Sequence, residues 1–336
     1  MRSVRMLAGI VLTGSLLLAG CGGDDEGGKK SEEPEAAPSS APEVPATWPL
    51  TGLQAPDGTK VEKQHPVMVL KMDNTASSAP QVGLGKADLV VEELVEGGVT
   101  RLAAFYYSKI PGEAGPVRSM RASDIGIVAP VDGAMVTSGA AGVTIDRIKG
   151  AGIDFFQEGA KGFYRDSGRS APYNLFTDMG KTATLAKTKP TRPDDYLPWG
   201  TAADLPKGQK ATSIAASFSG GHTTNWVYRG KGYVNENTFA ADGDEFPADS
   251  VLVLRVKVGD AGYTDPAGNP VPETKFEGKG AALLFHDGRL VRGTWAKKNL
   301  KAPLQLTTKA GKLTVPAGKT WIELVPEGNG GNVTFQ

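Results

Sequence analysis

Ala87-Asp88-Leu89-Val90-Val91-Glu92-Glu93-Leu94-Val95, then Glu96-Gly97-Gly98-Val99, then Thr100-Arg101-Leu102-Ala103-Ala104-Phe105-Tyr106-Tyr107 reads as two β-rich runs around a turn. The Gly-Gly pair permits positive φ at both central turn positions, so the stretch predicts a β-hairpin. Glu92, Glu93 and Glu96 therefore gather on or near one hairpin. Upstream, Pro66-Val67-Met68-Val69-Leu70-Lys71-Met72-Asp73 is an apolar run closed by Asp73-Asn74. It predicts a buried strand that carries those two side chains to its end.

Downstream, the pattern predicts a short helix over Ala122 to Val131, a strand over Gly133 to Thr137 and a second short helix over Val143 to Lys149. Ser138-Gly139-Ala140-Ala141-Gly142 joins the last two, and free N–H groups at a helix start favour anions. A tight connection that merely needs small residues is the plainer account. Phe155-Phe156 and Phe163-Tyr164 read as core, Arg165 to Asn174 as a surface loop able to carry function, and Asp178 to Ala186 as a capped helix. Lys187 to Lys210, with Pro190, Pro193, Pro198 and Pro206, breaks every period and reads as a linker.

Beyond it the texture changes to short alternating runs: Ala211 to Phe218, Asn225 to Arg229, Ser250 to Val258, Ala281 to Phe285, Leu290 to Lys297 and Lys319 to Val325. Asp287-Gly288 between two of them is a hairpin signal. The expected class is α+β, with an N-terminal mixed α/β domain over residues 48–188, a Pro-rich linker over 189–210 and a smaller, mainly antiparallel β domain over 211–336. Roughly 290 residues after residue 47 exceed what most single cores use, which also favours two domains.

The N-terminus has a different character. Arg2 and Arg5 precede an apolar run from Met6 to Leu18 and then Leu18-Ala19-Gly20-Cys21. Such a run is shorter than the roughly 20 apolar residues a spanning helix needs, and suits an export signal. The tetrapeptide looks like the lipobox of bacterial lipoproteins, which implies a signal peptide over 1–20, lipidation of the Cys21 sulfur, and cleavage before it. Two or three acyl chains give stable anchoring, since each buried methylene adds about 0.8 kcal/mol. Residues 21–47 read as an acidic Gly/Ser/Pro tether that cannot bury enough apolar surface to order itself.

The whole chain has 37 basic and 37 acidic residues. Setting aside the leader and the acidic tether leaves the rest at about plus three, too weak to suggest nucleic acid. Cys21 is the sole cysteine, so the folded part has no disulfide, thiolate nucleophile or cysteine metal site. His65, His222 and His286 are far apart, so a zinc site or a Ser-His-Asp triad would need distant segments to converge. No phosphate-binding glycine loop is present. No cofactor or metal is expected.

Read in order, Trp48-Pro49-Leu50-Thr51-Gly52-Leu53, Met72-Asp73-Asn74, the segment Glu92 to Arg101 and Gly115-Pro116-Val117-Arg118-Ser119-Met120-Arg121 resemble the YerB-like lipoprotein family. Arg169-Ser170-Ala171-Pro172-Tyr173-Asn174-Leu175 is similar to that family's Arg-x-Ala-Pro-His-Asn-Leu stretch. Asp287 to Trp295 and Gly318 to Pro326 match its C-terminal half. The resemblance covers residues 48–326 and implies two domains of unknown function and a lipoprotein location, with no established reaction. Tyr173 stands where a histidine is common in the family, which counts against catalysis.

Acids Asp73, Glu92, Glu93 and Glu96, bases Arg101, Arg118, Arg121 and Arg169, and the neighbours Asn74, Tyr173 and Asn174 form the candidate binding cluster. Paired carboxylates can hydrolyse glycosides or hold calcium, but most often they pair with arginines. An ion network, structural or facing a partner, is the leading account. Arg118 and Arg121, three apart before a predicted helix, would share one face if the helix included both. Two guanidiniums can clamp a carboxylate or phosphate. Trp295 and Trp321 read as core.

The expectation is a lipid-anchored protein on the extracytoplasmic face of the cell membrane, leaning away from catalysis. Its expected partners are the membrane, through the N-terminal lipid, and a cell-wall polymer or a membrane-bound wall-synthesis protein. A carboxylate-dependent wall hydrolase and a solute-binding lipoprotein are the alternatives.

Overall fold

The computed structural model describes residues 46–186 and 188–336. Cys21, the leader and nearly all of the tether lie outside the described residues.

Strands dominate. In chain order they include β1 (Met68–Asn74), β2 (Leu89–Leu94), β3 (Thr100–Tyr106), β4 (Ala134–Val136), β5 (Phe155–Phe156), β6 (Ser213–Ser217) and β7 (Thr223–Tyr228). They continue with β8 (Ser250–Thr264), β9 (Pro270–Lys275), β10 (Gly278–His286), β11 (Arg289–Lys297), β12 (Gln305–Thr308), β13 (Thr320–Pro326) and β14 (Asn332–Phe335). The helices are short: α1 (Asp124–Val128), α2 (Gly142–Gly150) and α3 (Met179–Ala183). The α+β expectation therefore holds loosely, for a sheet-dominated body.

One sheet runs through both halves of the chain. Its path is β12-β11-β10-β8-β13-β2-β3-β1-β4-β5. The last long strand, β13, lies parallel to β2 on one side and to β8 on the other. The expected β-rich second half is mainly antiparallel, but this parallel strand stitches it to the first. Trp199–Gly200, inside the Pro-rich segment, pairs with Val315–Pro316, and Tyr196 and Leu197 beside it are buried.

Side chains alternate across the sheet, so each strand feeds two cores. Val69, Val91, Ala103, Leu252 and Ile322 pack on one face with Ile125, Ile127 and Val128 of α1 and Ile148 of α2. Leu70, Val90, Ala104, Val251 and Trp321 pack on the other, with Ile214, Ala216 and Trp226 of a second, four-stranded sheet. Trp295 and Trp321 are core, each 1% exposed. Tyr164, expected in the core, is 41% exposed instead.

The turns follow their glycines. Gly97 and Gly98 both take φ +74° between β2 and β3. Asp287 and Gly288 take φ 53° and 69° between β10 and β11, the geometry a two-residue hairpin needs. Asp178 caps α3 by accepting from the Lys181 N–H.

Candidate functional site

β1, β2 and β3 share a polar end. Asp73 faces Arg101 and Asn74 faces Thr100 across β1 and β3, while Glu93 faces Arg101 across β2 and β3. Because the period is two, the polar groups divide between the faces of the sheet. Lys71, Asp73, Glu93 and Arg101 follow Val69, Val91 and Ala103. Asn74, Glu92 and Thr100 follow Leu70, Val90 and Leu102.

On the first face, Lys71 Nζ lies 2.8 Å from Glu93 Oε1 and 2.9 Å from Asp124 Oδ1, with all three side chains wholly buried. Burial pushes the Glu93 carboxyl up to about 7 against the pull of Lys71. Further out, Glu96 is held by Arg101 Nη2 at 2.9 Å and by Arg121 through Nε at 2.9 Å and through Nη2. Burial would raise Glu96, but the two guanidiniums hold it below the ordinary carboxylate value. Arg101 also donates to the Ser119 carbonyl at 2.8 Å, and burial lowers it to about 10.

Arg118 forms the rim. Its Nε stands 3.1 Å from Asp73 Oδ2, its Nη1 reaches the Pro172 carbonyl at 3.4 Å, and its guanidinium covers the Tyr173 ring at 5.1 Å. Arg118 and Arg121 do not share a helical face, because α1 begins only at Asp124. They converge through an extended segment, in which the Arg118 N–H donates to the Lys71 carbonyl at 2.8 Å and pins it to β1.

On the second face, Glu92 accepts from Asn74 Nδ2 at 3.0 Å, Thr100 Oγ1 at 2.7 Å, Thr224 Oγ1 at 3.0 Å and Trp321 Nε1 at 3.2 Å, and bonds His222 Nε2 at 2.9 Å. Burial works against its charge, but His222 and the hydroxyl donors outweigh it, so Glu92 stays low and His222 is raised. Glu323, directly across from Glu92 on β13, is pushed well above the usual carboxylate range by burial and by Glu92. The pair therefore has one charged and one neutral carboxyl.

The predicted cluster is thus split. Asp73, Glu93, Glu96, Arg101, Arg118, Arg121 and Tyr173 come together on one side, and Asn74 and Glu92 on the other. Arg169 is occupied elsewhere: it donates to the Ser78 and Pro80 carbonyls at 3.2 and 2.7 Å and covers the Phe176 ring. Asn174 accepts from Arg165 at 2.6 Å. The three histidines do not meet, for His65 bonds Pro66, His222 bonds Glu92 and His286 bonds Ser250. Lys71, Asp124, His222, Thr224 and Glu323 were not among the predicted residues. A lone charge inside an apolar strand marks Lys71 and Glu323 in the sequence, whereas nothing local marks the others.

Models for the N-terminal and C-terminal domains of a family of unknown function, DUF3048, match residues 50–192 and 214–322. YerB of Bacillus subtilis (strain 168), provisionally named a lipoprotein, is 28% identical over 310 residues, spanning 88% of this chain and 90% of its own. A crystal structure of Bacillus subtilis YerB shares the fold with a TM-score of 0.71 at 22% identity, over 86% of this chain and 99% of that one.

Proposed function

The chain belongs to the DUF3048 family, and from that premise we propose that it is a lipid-anchored, extracytoplasmic binding protein for a carboxylate- or phosphate-bearing component of the cell envelope. The lipoprotein name of its relative supports the anchor, as does the Leu18-Ala19-Gly20-Cys21 sequence. The observation that carries the binding role is the rim around Arg118. Three arginines, Arg101, Arg118 and Arg121, meet only two carboxylates there, Asp73 and Glu96. Arg118 is 19% exposed, and its guanidinium sits over the Tyr173 ring at 5.1 Å, which sets a partly free donor group on an aromatic platform.

The hydrolase alternative draws less support. Asp73 and Glu92 project from opposite faces of the sheet, Glu93 is sealed against Lys71, and Glu96 is clamped by two guanidiniums.

The test uses the full chain and purified anionic wall polymer in a co-sedimentation assay. Wild type is expected to bind with salt-sensitive affinity, and Arg118→Ala to bind about tenfold more weakly, the loss of roughly one charge-assisted contact. Binding that is absent, or indifferent to Arg118→Ala, counts against the reading. Digestion of the polymer that vanishes in Glu92→Gln would favour the hydrolase.

A further inference from the structure

The buried trio on the first face is an unusual electrostatic object. One ammonium, Lys71, meets two carboxyls, Glu93 and Asp124, and none has any exposed side-chain surface. Two acids and one base leave one carboxyl without an ionic partner of its own in this apolar interior. Glu93 Oε2 has no hydrogen-bond partner among the described residues. Asp124 Oδ1 touches Lys71 Nζ at 2.9 Å without the alignment of a hydrogen bond, while Asp124 Oδ2 is held by the Arg121 N–H at 2.6 Å. Strand β1 supplies the lysine, β2 the glutamate and the first residue of α1 the aspartate, so all three are fixed by backbone.

We propose that Lys71 and Asp124 are the partners of an intramolecular isopeptide bond that forms in the folded chain, with Glu93 carrying the proton. Lys71 Nζ stands 2.9 Å from Asp124 Oδ1, and the oxygen touched is one bond from the carbon attacked, so the fold already holds the two groups side by side. Glu93 takes a proton from the Lys71 ammonium, and the freed nitrogen lone pair attacks Asp124 Cγ. Glu93 then returns that proton to the departing oxygen, a second proton passes there from the nitrogen, the C–O bond breaks, and water leaves. A C–N amide bond replaces one C–O bond, Glu93 ends as it began, and no oxidant, reductant or cofactor is consumed. Burial raises Glu93 to about 7, which makes it a stronger proton acceptor, while Asp124 and Glu93 hold the Lys71 ammonium above its ordinary value against burial. Val69, Val91, Ala103 and Ile125 belong to the same apolar core and keep water from reversing the step. The Arg121 N–H on Asp124 Oδ2 stabilises negative charge as it develops there.

The experiment is a peptide map of the full chain, denatured and digested with trypsin. The expected product is a branched species joining Gln64–Lys86, uncut after Lys71, to Ala122–Arg147, lighter than the two together by one water. Recovery instead of a separate peptide ending at Lys71 together with free Ala122–Arg147 overturns the proposal, whatever any variant does. Glu93→Gln should abolish the branched species, and a Glu93→Gln chain that keeps its native circular dichroism and still forms it removes Glu93 from the role. Asp124→Ala is the negative control.

Discussion

At Glu323 a single side chain sets a pH dependence. It is a buried acid beside a charged one, and its carboxyl is held well above the ordinary 4.5. The folded state therefore keeps a proton that the unfolded chain releases above that value. Stability supplied by this group is complete below 4.5 and is lost as pH rises toward the raised value. Glutamine mimics the neutral acid: its oxygen can accept from Trp226 Nε1, which now donates to Glu323 at 2.8 Å, and its amide can donate to Glu92. Glu323→Gln is therefore expected to raise the melting temperature at about pH 8 and leave it unchanged near pH 4, as thermal unfolding at the two pH values would register. A lower melting temperature at both would contradict this account. The acids were legible as residues, since Glu92, Glu93 and Glu96 sit in plain order along one hairpin. Their partners were not, because His222 meets Glu92 across 130 positions and no local pattern encodes such a meeting.

Among the elements, the hairpins were the most legible, because a turn is written in two or three consecutive residues. Gly-Gly at 97–98 and Asp-Gly at 287–288 both adopt the positive φ that their sequence foretells. Gly288 shows what such a position costs to change. It holds φ +69°, and an added Cβ would meet the Tyr228 ring at 2.9 Å. Gly288→Ala should destabilise the chain by about 1–2 kcal/mol from the left-handed backbone alone, and more if Tyr228 cannot yield. Denaturant titration would read this as a lower midpoint at unchanged slope. An unaltered midpoint would mean that the turn relaxes freely. Helix content was less legible than strand content. The short α1 and α2 were foreseen, but the expected common face for Arg118 and Arg121 was not realised, since extended chain and not helix carries them.

For the molecule as a whole, the decisive feature is β13 between β2 and β8. Composition marked where the texture of the chain changes, but not that one sheet crosses the change, because parallel pairing between distant segments leaves no periodic trace. The residues matched by the two family models are accordingly expected to fold as one unit. A fragment of residues 46–210 would expose the whole edge of β2 and is expected to aggregate or melt without cooperativity. The full chain should unfold in one transition whose calorimetric and van't Hoff enthalpies agree. A fragment that melts sharply would refute this interlock. The placement of β13 also orders events in time. Residues 320–326 are polymerised more than 200 positions after residues 89–94, yet they fill the gap beside the strand those residues form. Until the ribosome has passed them, the keystone is missing, and β2 has no neighbour on that edge.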